Sequence, residues 1–436
     1  MTAKTLSTIF FSAGIVAAIS FSLAVSAQAQ TETVLYNFVP GWSGNYPDGT
    51  VVLDGAGNIY GSTQFGANCC GTVYELSPAS GNTWTYKVLH GFGNNTFGSY
   101  ISPSLARDSA GNLYGTTFNG GNLNVNCNGT GCGVVFELSP TSSGPWKETV
   151  LHTFSGGADG GNPSGGLLIG PDGSLYGTTV RGGNNHQCVN KYVAGCGIVY
   201  RLSKGTNGWR YSVLYTFSRA VGDSPNAELV MDAAGNLYGT TNGFGQILFE
   251  LSPTSSGEWS ETTLLNFTSA GWGTPESGLI IDAAGNLYGT TLNSSGECPT
   301  SGSCGTVFEL SPSSGGGWTQ SVLHTFQAGG DGAYPVSVSM DSVGNLYGVA
   351  FYGFSDVTDC GVSGCGIVYE LSPSSGSWTE SILHIFKDGA DGNPNGIAGV
   401  AVDGAGNVFG TAAAGGSDTS ACQDRNGCGV IFEITK

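Results

Sequence analysis

The sequence predicts an all-β fold, a seven-bladed β-propeller of four-stranded blades. Three observations lead to it: the composition, a set of motifs that recurs seven times, and one strand displaced from the last repeat to the start of the chain. Glycine supplies 74 of the 436 residues, whereas Asp, Glu, Lys and Arg together supply 10%. This composition is typical of short strands joined by tight turns rather than of helices.

Two motifs define the recurring unit. The first, D-x-x-G-N-L-Y-G-T, is followed each time by the second, G-x-V-F-E-L-S-P. Copies of the first begin at Asp54, Asp108, Gly170, Asp232, Asp282, Asp341 and Asp403. The six intervals give a repeat of about 58 residues, which is longer than the roughly 20 to 47 residues of a solenoid coil. Gly and Asn in the first motif suit a tight hairpin turn.

A third motif, W-x-x-x-V-L-H-x-F, indicates how the ring closes. It follows only six repeats, beginning at Trp84, Trp146, Trp209, Trp259, Trp318 and Trp378. Each unit therefore holds four strand-like runs, which we name a to d in chain order. The missing seventh d run lies at the start of the chain, from Val34 to Phe38, without its Trp. We expect this N-terminal strand to complete the last blade and close the propeller.

The first 29 residues predict a secretory signal peptide. A single charge, Lys4, precedes an apolar run that ends in the small-residue tripeptide Ala27-Gln28-Ala29. We expect residues 1–29 to be removed and residues 30–436 to form a single propeller domain, secreted to the extracellular space or the periplasm. No later run approaches the roughly 20 apolar residues of a membrane span.

The charge of the chain excludes one class of partner. The formal net charge is −18 at pH 7, and loss of Lys4 with the leader makes it −19. Nucleic acid is therefore not an expected partner. We expect the exported chain to be a monomer.

The three motifs in fixed order resemble the bacterial tandem repeat named for Gloeobacter and Verrucomicrobia, the choice-of-anchor GloVer family. The match covers essentially everything after the leader, and only the third repeat departs clearly, with Gly170, Ser174, Arg201 and Lys204 in place of Asp, Asn, Glu and Pro. The resemblance implies an exported repeat protein without an assigned activity, often joined to a C-terminal surface anchor.

All 12 cysteines lie between runs b and c, two in each of six repeats. The pairs are Cys69 and Cys70, Cys127 and Cys132, Cys188 and Cys196, Cys298 and Cys304, Cys360 and Cys365, and Cys422 and Cys428. In an exported chain this pattern favours a disulfide within each loop over a zinc site. Whether the adjacent Cys69 and Cys70 pair with each other stays open. The fourth repeat has no cysteine and the shortest b–c loop, residues 242–245.

The b–c and d–a loops emerge on one face, which we name the loop face, and loops on a rigid scaffold often carry binding sites. Trp42 and Trp272 lie in d–a loops, where an indole could stack on a sugar or could simply pack. Acidic residues recur in the same loops and could hold calcium or be ordinary solvated turns: Asp159, Asp223, Asp331, Asp388 and Asp391. His186, in a polar b–c loop, is a further candidate ligand contact.

Catalysis finds little support in the sequence. Four histidines, His90, His152, His324 and His384, share one repeat position, and such repetition is typical of a structural role. We therefore predict a non-catalytic binding or adhesion propeller without an organic cofactor, which takes a carbohydrate or a cell-envelope component on the loop face. The alternatives are an exported polysaccharide hydrolase or lyase and a passive structural protein of the envelope.

Overall fold

The computed structural model describes residues 30–436 except 67–69, 94–97, 124–126, 128, 143, 184–187, 189–194, 276, 293–303, 328–330, 353–365, 388, 394–398, 418–421 and 423–426. Over these residues it consists of seven antiparallel sheets arranged as the blades of a propeller, which confirms the predicted fold class. No described helix is long and apolar enough to cross a membrane.

The chain begins with β1 (Thr31–Asn37), the outermost strand of blade 7. Blade 1 consists of β2 (Asn45–Leu53), β3 (Ile59–Phe65), β4 (Thr72–Ala79) and β5 (Thr83–Gly91). Blade 2 consists of β6 (Ser99–Ile101), β7 (Ala106–Arg107), β8 (Leu113–Asn119), β9 (Val134–Ser139) and β10 (Lys147–Thr153). Blade 3 consists of β11 (Leu168–Ile169), β12 (Leu175–Thr179), β13 (Ile198–Gly205) and β14 (Gly208–Thr216).

Blade 4 consists of β15 (Val230–Met231), β16 (Leu237–Thr240), β17 (Ile247–Pro253) and β18 (Trp259–Asn266), followed by the short helix α1 (Phe267–Ala270). Blade 5 consists of β19 (Ile280–Ile281), β20 (Leu287–Thr291), β21 (Thr306–Pro312) and β22 (Trp318–Thr325). Blade 6 consists of β23 (Ala333–Pro335), β24 (Ser339–Met340), β25 (Leu346–Tyr352), β26 (Ile367–Ser374) and β27 (Ser377–Ile385). Blade 7 adds β28 (Val400–Val402), β29 (Val408–Ala412) and β30 (Val430–Thr435).

The N-terminal strand joins the last sheet, as the displaced motif predicts. Strand order in blade 7 is β1-β30-β29-β28, and β1 pairs antiparallel with β30 from Thr31 opposite Thr435 to Asn37 opposite Val430. Phe38, just after β1, is 3% exposed and packs in the core between blades 7 and 1. The first and last strands therefore hold the ring together through hydrogen bonds and apolar packing.

The recurring residues of the first motif build the a–b turn. Asp54 Oδ1 accepts hydrogen bonds from the backbone N–H groups of Ala56 and Asn58, while Oδ2 accepts from the Asn58 amide and the Tyr60 hydroxyl. Gly57 has a φ of 81°, which favours glycine. The equivalent Asp carries the same backbone bonds at Asp108, Asp232, Asp282, Asp341 and Asp403. The Asp that begins the motif thus fixes the a–b hairpin in six of the seven blades.

The third repeat replaces this network with a different one. Asp172 accepts hydrogen bonds from the backbone N–H and the hydroxyl of Ser174, and its Oδ2 lies 2.5 Å from an Arg201 guanidinium nitrogen. Arg201 also lies over the ring of Tyr176, 5.6 Å from its centroid. The departures from the repeat therefore compensate one another, because Arg201 replaces a Glu that would repel Asp172.

Adjacent blades are packed through aromatic side chains. The Tyr of strand b contacts the Trp of strand d in the next blade, as in Tyr238 and Trp318, whose ring centroids are 5.8 Å apart. Blade 7 has no such Trp. There Lys436 takes its place, 4.8 Å from the Tyr347 ring centroid and 2.7 Å from Glu370 Oε1. The end of the chain thus helps to seal the junction between blades 6 and 7.

Candidate functional site

The innermost strands surround a central cavity of about 560 Å³. Every blade contributes the residue that lies four positions before the start of the first motif, which we name the ring position. Its occupants all line the cavity: Thr50, Ser104, Gly166, Glu228, Gly278, Ser337 and Gly399. Six blades therefore present a small neutral residue to the channel, and blade 4 presents a carboxylate.

Glycines in the neighbouring blades make room for Glu228. A Cβ atom at Gly166 would lie 2.7 Å from Glu228 Oε2, and one at Gly278 would lie 3.5 Å from the Glu228 Cβ. The Glu228 side chain keeps a partial opening to the cavity, and burial raises its pKa to about 7. The carboxyl therefore exchanges its proton near neutral pH, as general acids and bases do.

Polar and aromatic side chains line the cavity toward the loop face, at the ends of strands a and b. Asp48 is 8% exposed, and its Oδ2 accepts a 2.7 Å hydrogen bond from the Gln64 amide. Tyr100, 49% exposed, and Phe118 add ring surfaces, and Asn226 adds an amide. The Oδ1 atom of Asn226 is buried without a hydrogen-bond partner among the described residues. We name these five residues the channel mouth.

A second cavity of about 620 Å³ lies beside the channel mouth, between blades 3 and 4, and shares Asn226 with it. Arg181, Arg219, Asp223 and Phe244 line it. We name it the basic cavity. Its position follows from the short b–c loop of blade 4, residues 242–245, which contributes Phe244 to its wall.

The two tryptophans singled out from the sequence have different environments. Trp42 is 61% exposed. Trp272 is half-buried and packs on Phe308, with ring centroids 5.8 Å apart, while its backbone C=O accepts a hydrogen bond from Thr291. Neither lines the central or the basic cavity. The packing role weighed for Trp272 is therefore the one the geometry supports.

Three of the predicted loop carboxylates pair with the repeated histidines of strand d. The distance from His Nε2 to the carboxylate is 3.3 Å for His152 and Asp159 and 3.2 Å for His384 and Asp391. His324 and Asp331 form the same pair at 3.6 Å. Each Asp also accepts a hydrogen bond from the backbone N–H four residues earlier. These carboxylates thus fix their own d–a loops.

Electrostatics agree with this arrangement. Burial would raise the pKa of Asp159, but the nearby His152 and the hydrogen bonds from Ser155 outweigh it and lower the pKa below its usual value. Asp391 behaves in the same way with His384. Asp223 belongs instead to the wall of the basic cavity, where it is 5% exposed. His186 and Asp388 lie outside the described residues.

The same histidines also bridge adjacent blades. His90 Nε2 lies 3.3 Å from Glu148 of the next blade, and the His152 ring stacks on Tyr211 at a centroid distance of 3.8 Å. His324 lies 3.7 Å from Glu380, and their side chains together with Asp331 form the one group within the described residues whose geometry could hold a metal ion. Because equivalent contacts recur around the ring, an inter-blade role accounts for the cluster.

Three of the predicted local disulfides are present: Cys127–Cys132, Cys188–Cys196 and Cys422–Cys428. Cys70 and Cys304 are also disulfide-bonded. Cys69, Cys298, Cys360 and Cys365 lie outside the described residues. Closed loops of this kind limit the motion of the loop face.

The ring of seven antiparallel sheets with a ligand-sized cavity at its axis defines the class of the seven-bladed β-propeller. The chain belongs to the Gloeobacter/Verrucomicrobia repeat family, whose model matches residues 20–186 and 125–358. No curated protein matches it.

Solved structures align with this chain at TM-scores below 0.5. A luciferin-regenerating enzyme aligns with a TM-score of 0.45 and 12% identity over 79% of this chain and 96% of that chain. A gluconolactonase from Xanthomonas campestris aligns at 0.40 and 13% over 73% and 85%. Hydrazine synthase of Kuenenia stuttgartiensis aligns at 0.45 and 14% over 74% and 75%. At such low identity and TM-score these likenesses carry no argument about function.

Proposed function

We propose that the chain is an exported, non-catalytic propeller that binds carbohydrate at the channel mouth. The observation that carries the proposal is the combination of planar polar groups and exposed ring surface around one cavity of about 560 Å³. Ligand cavities in proteins are commonly about 300–1,000 Å³, so this volume suits an oligosaccharide segment.

The chemistry of the lining supports a sugar. The Asp48 carboxylate and the Gln64 and Asn226 amides offer planar arrays of donors and acceptors, which match vicinal hydroxyl groups. The rings of Tyr100 and Phe118 offer apolar faces against which sugar C–H groups pack. The disulfides on the same face restrict its loops and reduce the entropy lost on binding.

Calorimetric titration with a glycan panel tests the proposal. We expect Gln64→Ala and Tyr100→Ala each to weaken the best neutral oligosaccharide about tenfold or more, because each removes a direct contact. Trp42→Ala serves as the matched control, since it removes an exposed aromatic elsewhere on the loop face, and its affinity should equal that of the wild type. A panel without binders, or a loss caused by Trp42→Ala alone, would overturn the proposal.

One observation favours a second candidate, the polysaccharide hydrolase or lyase. Glu228 has the raised pKa of a general acid, and Asp48 lines the same cavity as a second carboxyl. If the chain cleaves a polysaccharide, Glu228→Gln should abolish release of new chain ends while oligosaccharide affinity persists. Equal cleavage by the variant and the wild type would exclude Glu228 from that role.

A further inference from the structure

The basic cavity concentrates positive charge in an acidic protein. The chain has 13 Lys and Arg against 31 Asp and Glu, yet two arginines line this cavity. With the buried Asp223 in the wall, the local formal charge is +1. Neither guanidinium forms an ion pair with a carboxylate among the described residues. The cavity is therefore suited to an anion and poorly suited to a cation.

Both guanidinium groups are held in place by neutral partners. Arg219 lies over the Phe244 ring, 4.3 Å from its centroid, and Phe244 is itself 78% exposed. Arg181 donates a 3.4 Å hydrogen bond to Asn162 Oδ1 and lies 5.9 Å from the centroid of the Phe118 ring. Stacked guanidinium groups keep their N–H donors free, and their fork geometry matches carboxylate or sulfate oxygens.

Desolvation strengthens the attraction of Arg181 for an anion. This side chain is partly buried, and burial lowers its pKa, although a guanidinium remains protonated at neutral pH. A positive charge that has lost part of its water regains interaction energy when an oxyanion binds. Asp223 also lines the cavity, and its Oδ1 accepts a hydrogen bond of 3.4 Å from the backbone N–H of Gly245 in the short loop.

The basic cavity borders the channel mouth. Asn226 lines both cavities, and Phe118, which lines the mouth, carries Arg181 against its ring. A saccharide chain that extends from the mouth past Asn226 would therefore enter the cavity that the two arginines line.

We infer that the chain selects acidic saccharides, with a carboxylate or sulfate group of one sugar held by Arg181 and Arg219 while an adjacent sugar occupies the channel mouth. This inference rests on the proposed function, because it names the ligand class of that site. It also gives a role to the fourth repeat, whose short loop without cysteines leaves the cavity open.

Paired ligands test the inference. Calorimetry would compare tetragalacturonate with its methyl ester, and a sulfated galactan tetrasaccharide with its desulfated form. We expect at least one acidic member to bind about tenfold or more tightly than its neutral partner, with an affinity that falls as salt rises. The pair that shows the preference identifies the oxyanion as carboxylate or sulfate.

Variants separate the arginines from general charge effects. Arg181→Ala and Arg219→Ala should remove the preference for the acidic member. Arg210→Ala, which removes an exposed positive charge on β14, should keep the preference. If the alanine variants do not fold, Arg181→Lys and Arg219→Lys replace them. These variants retain the charge without the forked guanidinium, and they should keep only part of the preference.

The outcomes distinguish this inference from the proposed function. Equal binding of acidic and neutral members, or an equal loss of the acidic preference in Arg210→Ala, would overturn the inference. The proposed function would still stand if neutral-sugar binding depended on Gln64 and Tyr100. If Gln64→Ala and Tyr100→Ala left acid-selective binding unchanged, the proposed function would be overturned and the role of the arginines upheld. Absence of binding by all four ligands would overturn both.

Discussion

At the residue scale, Glu228 is the charged residue at the ring position, which lines the central cavity in all seven blades. Its ring position holds Gly, Ser or Thr in the other six blades, and the flanking Gly166 and Gly278 leave the space that the longer side chain needs. A carboxyl retained against a desolvation cost is a common sign of a functional site. The cost itself can be measured.

The pH dependence of stability should change in Glu228→Gln. Burial raises the pKa of Glu228 from 4.5 to about 7, so between these values the folded chain keeps a proton that the unfolded chain releases. The contribution of this carboxyl to stability is therefore fully present below pH 4.5 and is lost as the pH rises through 7. Glu228→Gln should gain stability relative to the wild type over this interval, reaching about 3 kcal/mol at pH 8.

Urea unfolding at pH 4.5 and pH 8 would measure this difference. Glu258→Gln, at an exposed Glu in the same blade, is the matched control and should follow the wild type at both pH values. Parallel profiles for the wild type and Glu228→Gln would contradict the account of a desolvated carboxyl.

Residues also show where sequence reasoning reached its limit. The repeated histidines pair with nearby loop carboxylates and also contact the next blade, as His90 contacts Glu148. Those second partners lie about one repeat away, and spacing along the chain does not reveal them. Arg201 departs from the repeat, and the motif spacing does not reveal that it pairs with Asp172. The missed candidate site residues include Glu228 and Asp48, in or beside strand a, and Arg219, in the d–a loop of blades 3 and 4. Alignment of its ring position would have singled out Glu228.

At the element scale, β1 closes the ring through noncovalent contacts. The displaced motif was sufficient to predict this strand, because a missing d run in one repeat and an extra d run elsewhere have one simple explanation. Its contacts extend beyond the hydrogen bonds to β30. Tyr36 stacks on Tyr86 of blade 1 with ring centroids 4.1 Å apart, and Val34 packs against the core between blades 6 and 7. Strand β1 therefore supports both of its blade junctions.

Deletion of residues 30–38 should cost far more stability than trimming an ordinary terminus. The truncated chain loses a full row of sheet hydrogen bonds and the buried Phe38, and it exposes the edge of β30. We expect the melting temperature to fall by about 10 °C or more, measured by circular dichroism. A synthetic peptide of residues 30–38 should restore part of the loss. If residues 39–436 melted like residues 30–436, the ring would not depend on β1.

At the scale of the whole molecule, sevenfold repetition builds a rigid frame and the departures from it locate the candidate site. The frame could be predicted because each repeat carries its own strand and turn signals. The site could not, since it forms where seven inner strands meet, and the basic cavity depends on the absence of a longer loop in blade 4. The exposed tryptophan and acidic loops that stood out along the chain surround this region without lining the channel mouth.

The most direct test of a ligand at the channel mouth is photo-cross-linking with a diazirine-bearing tetragalacturonate, followed by peptide mapping. The account predicts saturable labelling of the segments that contain Tyr100, Phe118 and Asn226, with competition by the unmodified oligosaccharide. Labelling confined to the loops of Trp42 or Trp272, or no saturable labelling, would contradict it.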